Sequence, residues 1–555
     1  MNFTKSVLEK AALAPHKPAL VFGERIYSYG ELTLSVKQYA RLLTWLGVRK
    51  GDRVAIQLPN CAEFVFLHLA TMLVGAITLP LNTGYKPEEI DYFLEDSGSR
   101  LFFTDDEKPR SGSDGAGSSE KAEIARIIYR GEDSNSPSSL KLLLQESQKS
   151  FEEGAGTEGA DHAADSDVSG VTGGIADSAT GAVDATEGND IALLCYTSGT
   201  TGKPKGAMIT HGNLLSNTRA LQKLWRWTEE DILLCVLPMF HIHGLCVALH
   251  GALNAVCKVI IHDKFDPVKC FKTIEENKCT MFMAVPTIYF RLMEIWPELK
   301  PAPDLASMRV FISGSAPLSE ELFARFYAAT GFRILERYGM TETQMIVSNP
   351  YEQERRIPQS VGYPLPGVQV RVASDTGLDV TPGEVGEVLV KGENVFRGYW
   401  QMPEKTKDSF LGDWFRTGDL GYQDAKDGMR LYLVGRAKEL IISGGYNIYP
   451  KEVEDVLGQH SAVLESAVIG VSDREFGEKV VAAVVLKSGD KGDIGRSDSE
   501  TTAETTPKAA SKEQLIAFCK EKLAGYKCPK EIIFLDELPR NALGKVQKHL
   551  ITEAK

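Results

Sequence analysis

The chain has 555 residues, 43% hydrophobic and 25% charged, so it is too long for one ordinary core and reads as two to four folded units. Its formal charge of −13 argues against a nucleic-acid backbone as the main partner, since such binding needs a basic face, although a local basic pocket for a small phosphate stays open. Nine cysteines, odd in number and with no C-x-x-C spacing, suggest neither a disulfide framework nor a zinc site and read as reduced cytoplasmic thiols.

In chain order, Met1-Asn2-Phe3-Thr4-Lys5 starts no charged-then-apolar leader. Apolar runs at 53–58 and 76–81 predict buried strands that alternate with helices, as in a parallel, helix-covered sheet. The stretch 64–81 carries no charge, but His68, Gly75 and Pro80 interrupt it. Asn60 is expected to cap a helix that Gly75 ends after about four turns, too short to cross a bilayer.

Residues 106–189 differ in kind. Within 151–190 there are ten Asp or Glu, eight Gly and no Lys or Arg. Such a composition buries too little apolar area to offset its ordering entropy, and the segment is read as a disordered insertion. Its Gly154-Ala155-Gly156-Thr157-Glu158-Gly159 matches G-x-G-x-x-G, but with no strand before it and no helix after it the match fails as a dinucleotide site. Alternation resumes at Ile191 and runs to about Val434. Residues 435–555 form a smaller unit with apolar strands at 467–471 and 480–486, interrupted by a polar surface loop over 487–512. The expected fold is α/β: a large N-terminal domain, 1–434, of helix-covered, mostly parallel sheets, and a small α+β C-terminal domain, 435–555.

The strongest local signal is Tyr196-Thr197-Ser198-Gly199-Thr200-Thr201-Gly202-Lys203-Pro204-Lys205-Gly206, which follows the apolar run 191–195. Glycines let backbone N–H groups approach phosphate oxygens, hydroxyls donate, and lysines neutralise charge. G-x-x-x-x-G-K-[ST] fits nowhere in it, so it is not a Walker A loop.

This loop resembles the signature loop of the adenylate-forming superfamily, which includes acyl-CoA synthetases, luciferases and peptide-synthetase adenylation domains. Companion segments follow in that family's order. Ser313-Gly314-Ser315-Ala316-Pro317 resembles the adenine-side loop, and Tyr338-Gly339-Met340-Thr341-Glu342-Thr343 the motif that stacks on adenine and holds magnesium. Arg416-Thr417-Gly418-Asp419-Leu420 resembles the ribose segment, Gly435-Arg436-Ala437-Lys438-Glu439 the interdomain hinge, and Pro539-Arg540-Asn541-Ala542-Leu543-Gly544-Lys545 the catalytic-lysine loop. Outside the two polar insertions the resemblance covers nearly the whole chain. It implies a β-barrel-like subdomain in the large domain and a mobile C-terminal domain.

The resemblance also implies roles. Lys545 bridges the carboxylate and the α-phosphate; Glu342 and Thr197 hold Mg2+, a hard ion suited to oxygen ligands. The ATP/AMP site comprises Thr197, Ser198, Gly199, Thr200, Thr201, Gly202, Lys203, Ser315, Ala316, Tyr338, Gly339, Met340, Thr341, Asp419 and Arg436, with Asp419 accepting from the ribose. Lys438 is the hinge, and Gly444 and Gly445, within Ile442-Ser443-Gly444-Gly445-Tyr446-Asn447, line the pantetheine tunnel. The same segment reads equally as a plain β-hairpin turn.

For the acid, Pro238-Met239-Phe240-His241-Ile242-His243-Gly244-Leu245 resembles an acyl-pocket segment in which His241 gates the carboxylate. Val285 to Arg291 resembles the next one, and Arg291 could pair with a second carboxylate or face solvent. His241, Arg291 and Ser313 are the expected acyl-pocket residues, and His241 joins Lys545 and Glu342 as catalytic. Glu336-Arg337-Tyr338 through Asn349-Pro350-Tyr351, with Met402-Pro403-Glu404-Lys405-Thr406, look closest to malonyl-CoA synthetases, and the surrounding framework also resembles bacterial medium- and long-chain fatty acid ligases. The expected reaction is carboxylic acid + ATP + CoA to acyl-CoA + AMP + pyrophosphate, in the cytoplasm. The acid is either a monocarboxylate, whether medium- or long-chain, branched or alicyclic, or a short dicarboxylate such as malonate. No carrier-protein domain follows Lys555, which favours free coenzyme A over a stand-alone enzyme that loads a carrier protein; a homodimer is left open.

Overall fold

The computed structural model describes residues 1–105, 124–129, 139–155, 186–197, 203–474, 476–487, 510–540 and 545–553, with backbone alone at 151–155 and 552–553. Three sheets organise these residues. In the first, Arg53–Gln57 lies parallel to Ile77–Pro80 and to Leu101–Thr104, which pairs in turn with Ala125–Ile128. All three central strands are apolar on both faces, as a helix-covered parallel sheet requires. Ile191–Thr197 adds parallel to Ile77–Pro80 and then pairs antiparallel with Lys205–Thr210, so the two arms of the phosphate-loop segment form a hairpin toward one edge of this sheet, with Gly398–Tyr399 paired outside it.

The second sheet begins as a parallel stack: Lys258–Ile261, Ile232–Cys235, Met281–Ala284, Val310–Ser313 and Leu335–Met340. It continues without a break into antiparallel strands, from Gln344–Ser348 through Arg430–Arg436 and Trp414–Asp424 to Gly386–Gly392 and Val368–Ala373. The antiparallel part packs its own apolar cluster of Ile346, Val361, Val388, Val390 and Leu431. The third sheet holds Ile441–Ser443, Tyr446–Ile448, Val463–Asp473, Gly477–Leu486 and Glu531–Phe534, with helices Pro450–Gly458 and Lys512–Lys522 burying Val453, Leu457, Leu515 and Cys519.

Two expectations need correction. Part of 106–189 is ordered: Ala125–Ile128 is the edge strand of the first sheet, and Leu140–Ala155 is a helix packed against Tyr29–Trp45. Ile127 and Leu140 are buried. The acidic, glycine-rich composition that suggested disorder belongs to the later half, and the Ile-Ile and Leu-Lys-Leu-Leu-Leu runs before it supply apolar anchors. Residues 106–123, 130–138 and 156–185 lie outside the described residues, as do 488–509 of the expected surface loop and Gly156 to Gly159 of the G-x-G-x-x-G match.

Asn60 does not cap the helix Ala62–Leu73, whose N-cap is Cys61 with no side-chain bond. Its amide instead donates to the carbonyls of Leu237 (3.0 Å) and His262 (3.2 Å), and its Oδ1 accepts from the Met239 N–H at 2.9 Å. It thereby fixes the start of the expected acyl-pocket segment. The helix is buried on all sides and ends before Gly75, at φ +78°; no described helix is long and apolar enough to cross a membrane. All nine cysteines are buried and unpaired.

Candidate active site

Leu335–Met340 and Gln344–Ser348 form a tight antiparallel pair whose connecting turn carries Thr341 and Glu342. The register shifts between Tyr338 and Gly339, and a Cβ on Gly339 would sit 2.0 Å from the Gln344 carbonyl oxygen. Only glycine permits that approach, so the sequence dictates where the strand kinks and where Met340, Thr341 and Glu342 leave it.

Tyr338 reaches from this strand to Asp419 and donates its hydroxyl to Oδ2. Asp419 stands directly opposite Arg436 in the pairing of Trp414–Asp424 with Arg430–Arg436, and the Arg436 Nε lies 2.6 Å from Oδ1. Burial raises the Asp419 pKa, against the pull of Arg436, the Tyr338 bond and Lys545. Arg436 is half-buried: burial acts to lower its pKa, but Asp419 together with Tyr338, Glu439 and Glu342 outweighs it and the pKa is raised. Each Asp419 oxygen keeps a further lone pair, which is what ribose hydroxyls require.

Lys545 joins this cluster from the small unit. Its side chain keeps accessible surface, yet it stands among Arg436, Glu439, Asp419 and Lys548. Crowding by protein, and then the Arg436 guanidinium, draw its pKa below the ordinary lysine value. Lys548, three residues on, pairs with Glu454 (2.8 Å) and with Glu439 (3.3 Å). Glu439 ends the turn Ala437–Glu439, which contains Lys438, so the Lys545 segment is tied to the expected hinge.

On the polyphosphate side, Glu342 is buried and accepts from the Tyr399 hydroxyl at 2.9 Å on Oε1. Lys205 lies 4.3 Å over the Tyr399 ring. Burial lowers the Lys205 pKa; Glu342 opposes that, while Lys405 and Lys438 add to it. Thr197 pairs with Lys205 across the hairpin, and Lys203 begins the returning arm. Ser198, Gly199, Thr200, Thr201 and Gly202 lie outside the described residues, as do Asn541 to Gly544. Ser315, exposed and at φ +69°, shares a hydrogen bond with His243 Nδ1 at 3.2 Å, with half-buried Ala316 beside it.

Near the expected acyl-pocket residues lies a buried cation to which the motif reading gave no role. Arg337 is 2% exposed, and its Nε and Nη2 have no partner among the described residues. Gly314 makes its room: a Cβ there would lie 2.4 Å from the guanidinium carbon. Burial lowers its pKa to about 9, opposed by Tyr289 and Glu336. Burial also raises neighbouring Glu336 to about 7, and that carboxyl accepts from the Leu318 N–H rather than from Arg337.

Close by, His241 accepts from the His243 N–H at 3.2 Å. Burial, and then Arg337, depress the His241 pKa to about 4 and push His243 well below its usual value, so both rings are neutral at pH 7. His243 Nε2 and Ser313 Oγ are buried without partners among the described residues. His243 heads the π-helical segment His243–Leu249, whose Gly244 packs where a Cβ would strike the Pro238 carbonyl at 2.4 Å. Arg291, by contrast, is exposed on Pro286–Ile295 and bonds to no described residue. Gly444 and Gly445, at φ +59° and +81°, form the exposed turn of the hairpin joining Ile441–Ser443 to Tyr446–Ile448. The hairpin and tunnel readings of that segment are therefore compatible.

Arg337, His243, Lys205 and Tyr399 were not singled out from sequence. The first three lie inside quoted motifs, but only tertiary placement distinguishes a buried, unpaired side chain from a spacer.

The chain is similar to known proteins along nearly its whole length. The AMP-binding enzyme family model matches residues 7–400 and the AMP-binding enzyme C-terminal domain model matches 452–545. The long-chain-fatty-acid–CoA ligase of Bacillus subtilis (strain 168) is 33% identical over 98% of this chain and 93% of its own. The malonate–CoA ligase of Arabidopsis thaliana is 32% identical over 99% and 88%. Among solved structures, ATP-bound MatB from Rhodopseudomonas palustris is 36% identical, covering 100% of this chain and 99% of its own, with a TM-score of 0.78.

Proposed function

Since the chain belongs to the AMP-binding enzyme family and is an AMP-forming acyl-CoA synthetase, we propose that the acid it activates is a short dicarboxylate such as malonate. The observation that carries this reading is Arg337: a buried guanidinium whose Nε and Nη2 have no partner among the described residues, with the Ser313 hydroxyl and His243 Nε2 likewise without one. An isolated buried charge costs several kcal/mol, so such a site is built for an anion. A fatty acyl chain would leave it unpaired. Arg337, rather than exposed Arg291, is the receiver of the distal carboxylate. The Arabidopsis relative's substrate supports the same class, and the Bacillus relative's name keeps the long-chain acid as the outcome to exclude.

In the first half-reaction, the acid's reacting carboxylate oxygen attacks the α-phosphorus and the bond to pyrophosphate breaks. Lys545 supplies positive charge where it gathers on the α-phosphate oxygens, while Tyr338, Asp419 and Arg436 hold the nucleoside. His241 and His243, kept neutral, do not compete with Lys545 for the reacting carboxylate. Glu342, with Oε1 occupied by Tyr399, and Thr197 offer hard oxygen donors that fit magnesium. The ion, bound with ATP, would neutralise phosphate oxygens.

In the second half-reaction the thiol sulfur of coenzyme A attacks the acyl carbon and the C–O bond to AMP breaks. The small domain rotates about Lys438 between the two, withdrawing Lys545 and bringing in the Gly444–Gly445 turn. With Lys545 at the nucleotide cluster and that turn exposed, the present arrangement suits adenylation. AMP release should be measured for malonate, hexanoate and palmitate, with and without coenzyme A. We expect malonate to lead in kcat/KM by at least about tenfold; a lead for either monoacid would overturn the dicarboxylate reading.

A further inference from the structure

Both shoulders of the phosphate loop rest on one helix, Pro87–Ser97, which no motif touches. On the incoming side, the Tyr196 hydroxyl donates to Asp96 Oδ2 at 2.5 Å, and the Tyr196 ring lies 4.8 Å from that of Phe93. On the outgoing side, the Tyr92 hydroxyl donates to the Pro204 carbonyl at 2.8 Å, and the Lys203 ammonium sits 5.4 Å from the Tyr92 ring centroid. Trp400 locks the hairpin behind them, donating from Nε1 to the Asp96 carbonyl at 3.1 Å and from its backbone to the Gly206 carbonyl at 2.7 Å.

An acidic side chain in the last turn of a helix opposes the helix dipole, so Asp96 is placed there at a cost. Arg53 offsets it: its Nε and Nη2 donate to the Ser97 and Gly98 carbonyls, both at 2.6 Å, while its guanidinium lies over Trp400. Bonds from two successive turns of a single rigid helix to the two arms of a hairpin fix the width of that hairpin's mouth. Width matters here because the loop's donors must meet phosphate oxygens at hydrogen-bond distance, and small misplacements are costly in a positioned site.

We infer that Tyr92 and Asp96 are positioning residues for the polyphosphate of ATP, acting through Lys203, Pro204 and Tyr196. Their contacts run to the two arms of the phosphate loop, so their effect belongs to the nucleotide and is expected to be the same for any acid the enzyme accepts.

The test uses full-length enzyme and the best acid from the panel, reading KM for ATP, ATP–pyrophosphate exchange, and thioester formation from supplied acyl-adenylate. Tyr92→Ala and Asp96→Ala are expected to raise the ATP KM at least about fivefold and slow exchange to match, with thioester formation within twofold of wild type. Tyr92→Phe keeps the ring under Lys203 and is expected to fall between; Asp96→Asn keeps an acceptor for Tyr196 and is expected to restore most of the loss. An unchanged ATP KM in both alanine variants overturns the inference. So does an equal loss in the two half-reactions, or, if the alanine variants do not fold, a Tyr92→Phe enzyme with wild-type ATP KM. Because acid choice is read separately, a failed dicarboxylate reading leaves this result interpretable.

Discussion

Lys545→Ala removes an ammonium that stands with Arg436 and Asp419 at the nucleotide cluster. Losing one positioned charge at the developing transition state should slow adenylation by about 10²–10³. Thioester formation from supplied acyl-adenylate should be spared, and equal losses in both steps would refute a role confined to adenylation. Arg337→Met should lower kcat/KM for malonate by about tenfold or more, since a charged hydrogen bond is worth about 1.5–3 kcal/mol. Arg291→Met, changing an exposed side chain, should leave it within twofold; the opposite ranking would return the distal carboxylate to Arg291. Because the buried Arg337 leaves Nε and Nη2 without partners among the described residues, its replacement by an apolar residue should not lower the melting temperature.

Buried histidines set a separate expectation. Burial holds His68 at about 3 and His211 and His241 at about 4, below the unfolded value near 6.5. The unfolded chain therefore binds more protons than the folded one between those limits. The stability these rings contribute is complete above about pH 6.5 and is lost progressively as pH falls toward 4. Melting temperature should fall from pH 7 to pH 5, and His68→Gln should flatten that slope; an unchanged slope would remove His68 from the account.

At the scale of elements, the sequence was read well wherever one segment carried its own pattern. Strands at 53–57 and 77–80 announced themselves as apolar runs, and the hairpin turns by their glycines. Segments whose order depends on a distant partner were misread. Ala125–Ile128 is four residues long and is a strand only because Leu101–Thr104 lies beside it. Leu140–Ala155 was masked by the acidic tract after it. Removing 110–185 therefore takes Ile127 and Leu140 out of the core, each worth about 1.5–3 kcal/mol on burial. That deletion should lower the melting temperature by several degrees; a truncated chain that melts like the parent would show both elements to be dispensable. Asn60 failed for a related reason: its position before a helix suggested a cap, whereas its partners Leu237 and His262 come from strand ends far along the chain. The site divides the same way. Asp419, Arg436, Tyr338 and Glu342 were legible as motif members, but the bonds linking them, and the want of partners for Arg337 Nε and Nη2 among the described residues, exist only in three dimensions.

For the whole molecule, the proposed function asks two edges of the small unit to serve one cleft in turn: the Lys545 segment and the Gly444–Gly445 turn. Lys438→Pro, stiffening the turn between strand Arg430–Arg436 and the small sheet, should leave adenylation within about threefold and cut thioester formation at least about tenfold. Equal activity in both steps would mean that the hinge lies elsewhere. The tie from Lys548 to Glu439 adds a matter of timing. Lys545 stands beside Arg436, another cation, with Asp419 and Glu439 as counter-charges on the protein, and the phosphates of ATP would add to them. When pyrophosphate departs, that added charge goes with it and the repulsion between the two cations grows. Lys548, paired with Glu439, would carry that strain to the turn that holds Lys438. Chemistry at phosphorus would thus release the latch that it needed, so that the second step is cued by completion of the first and requires no separate signal.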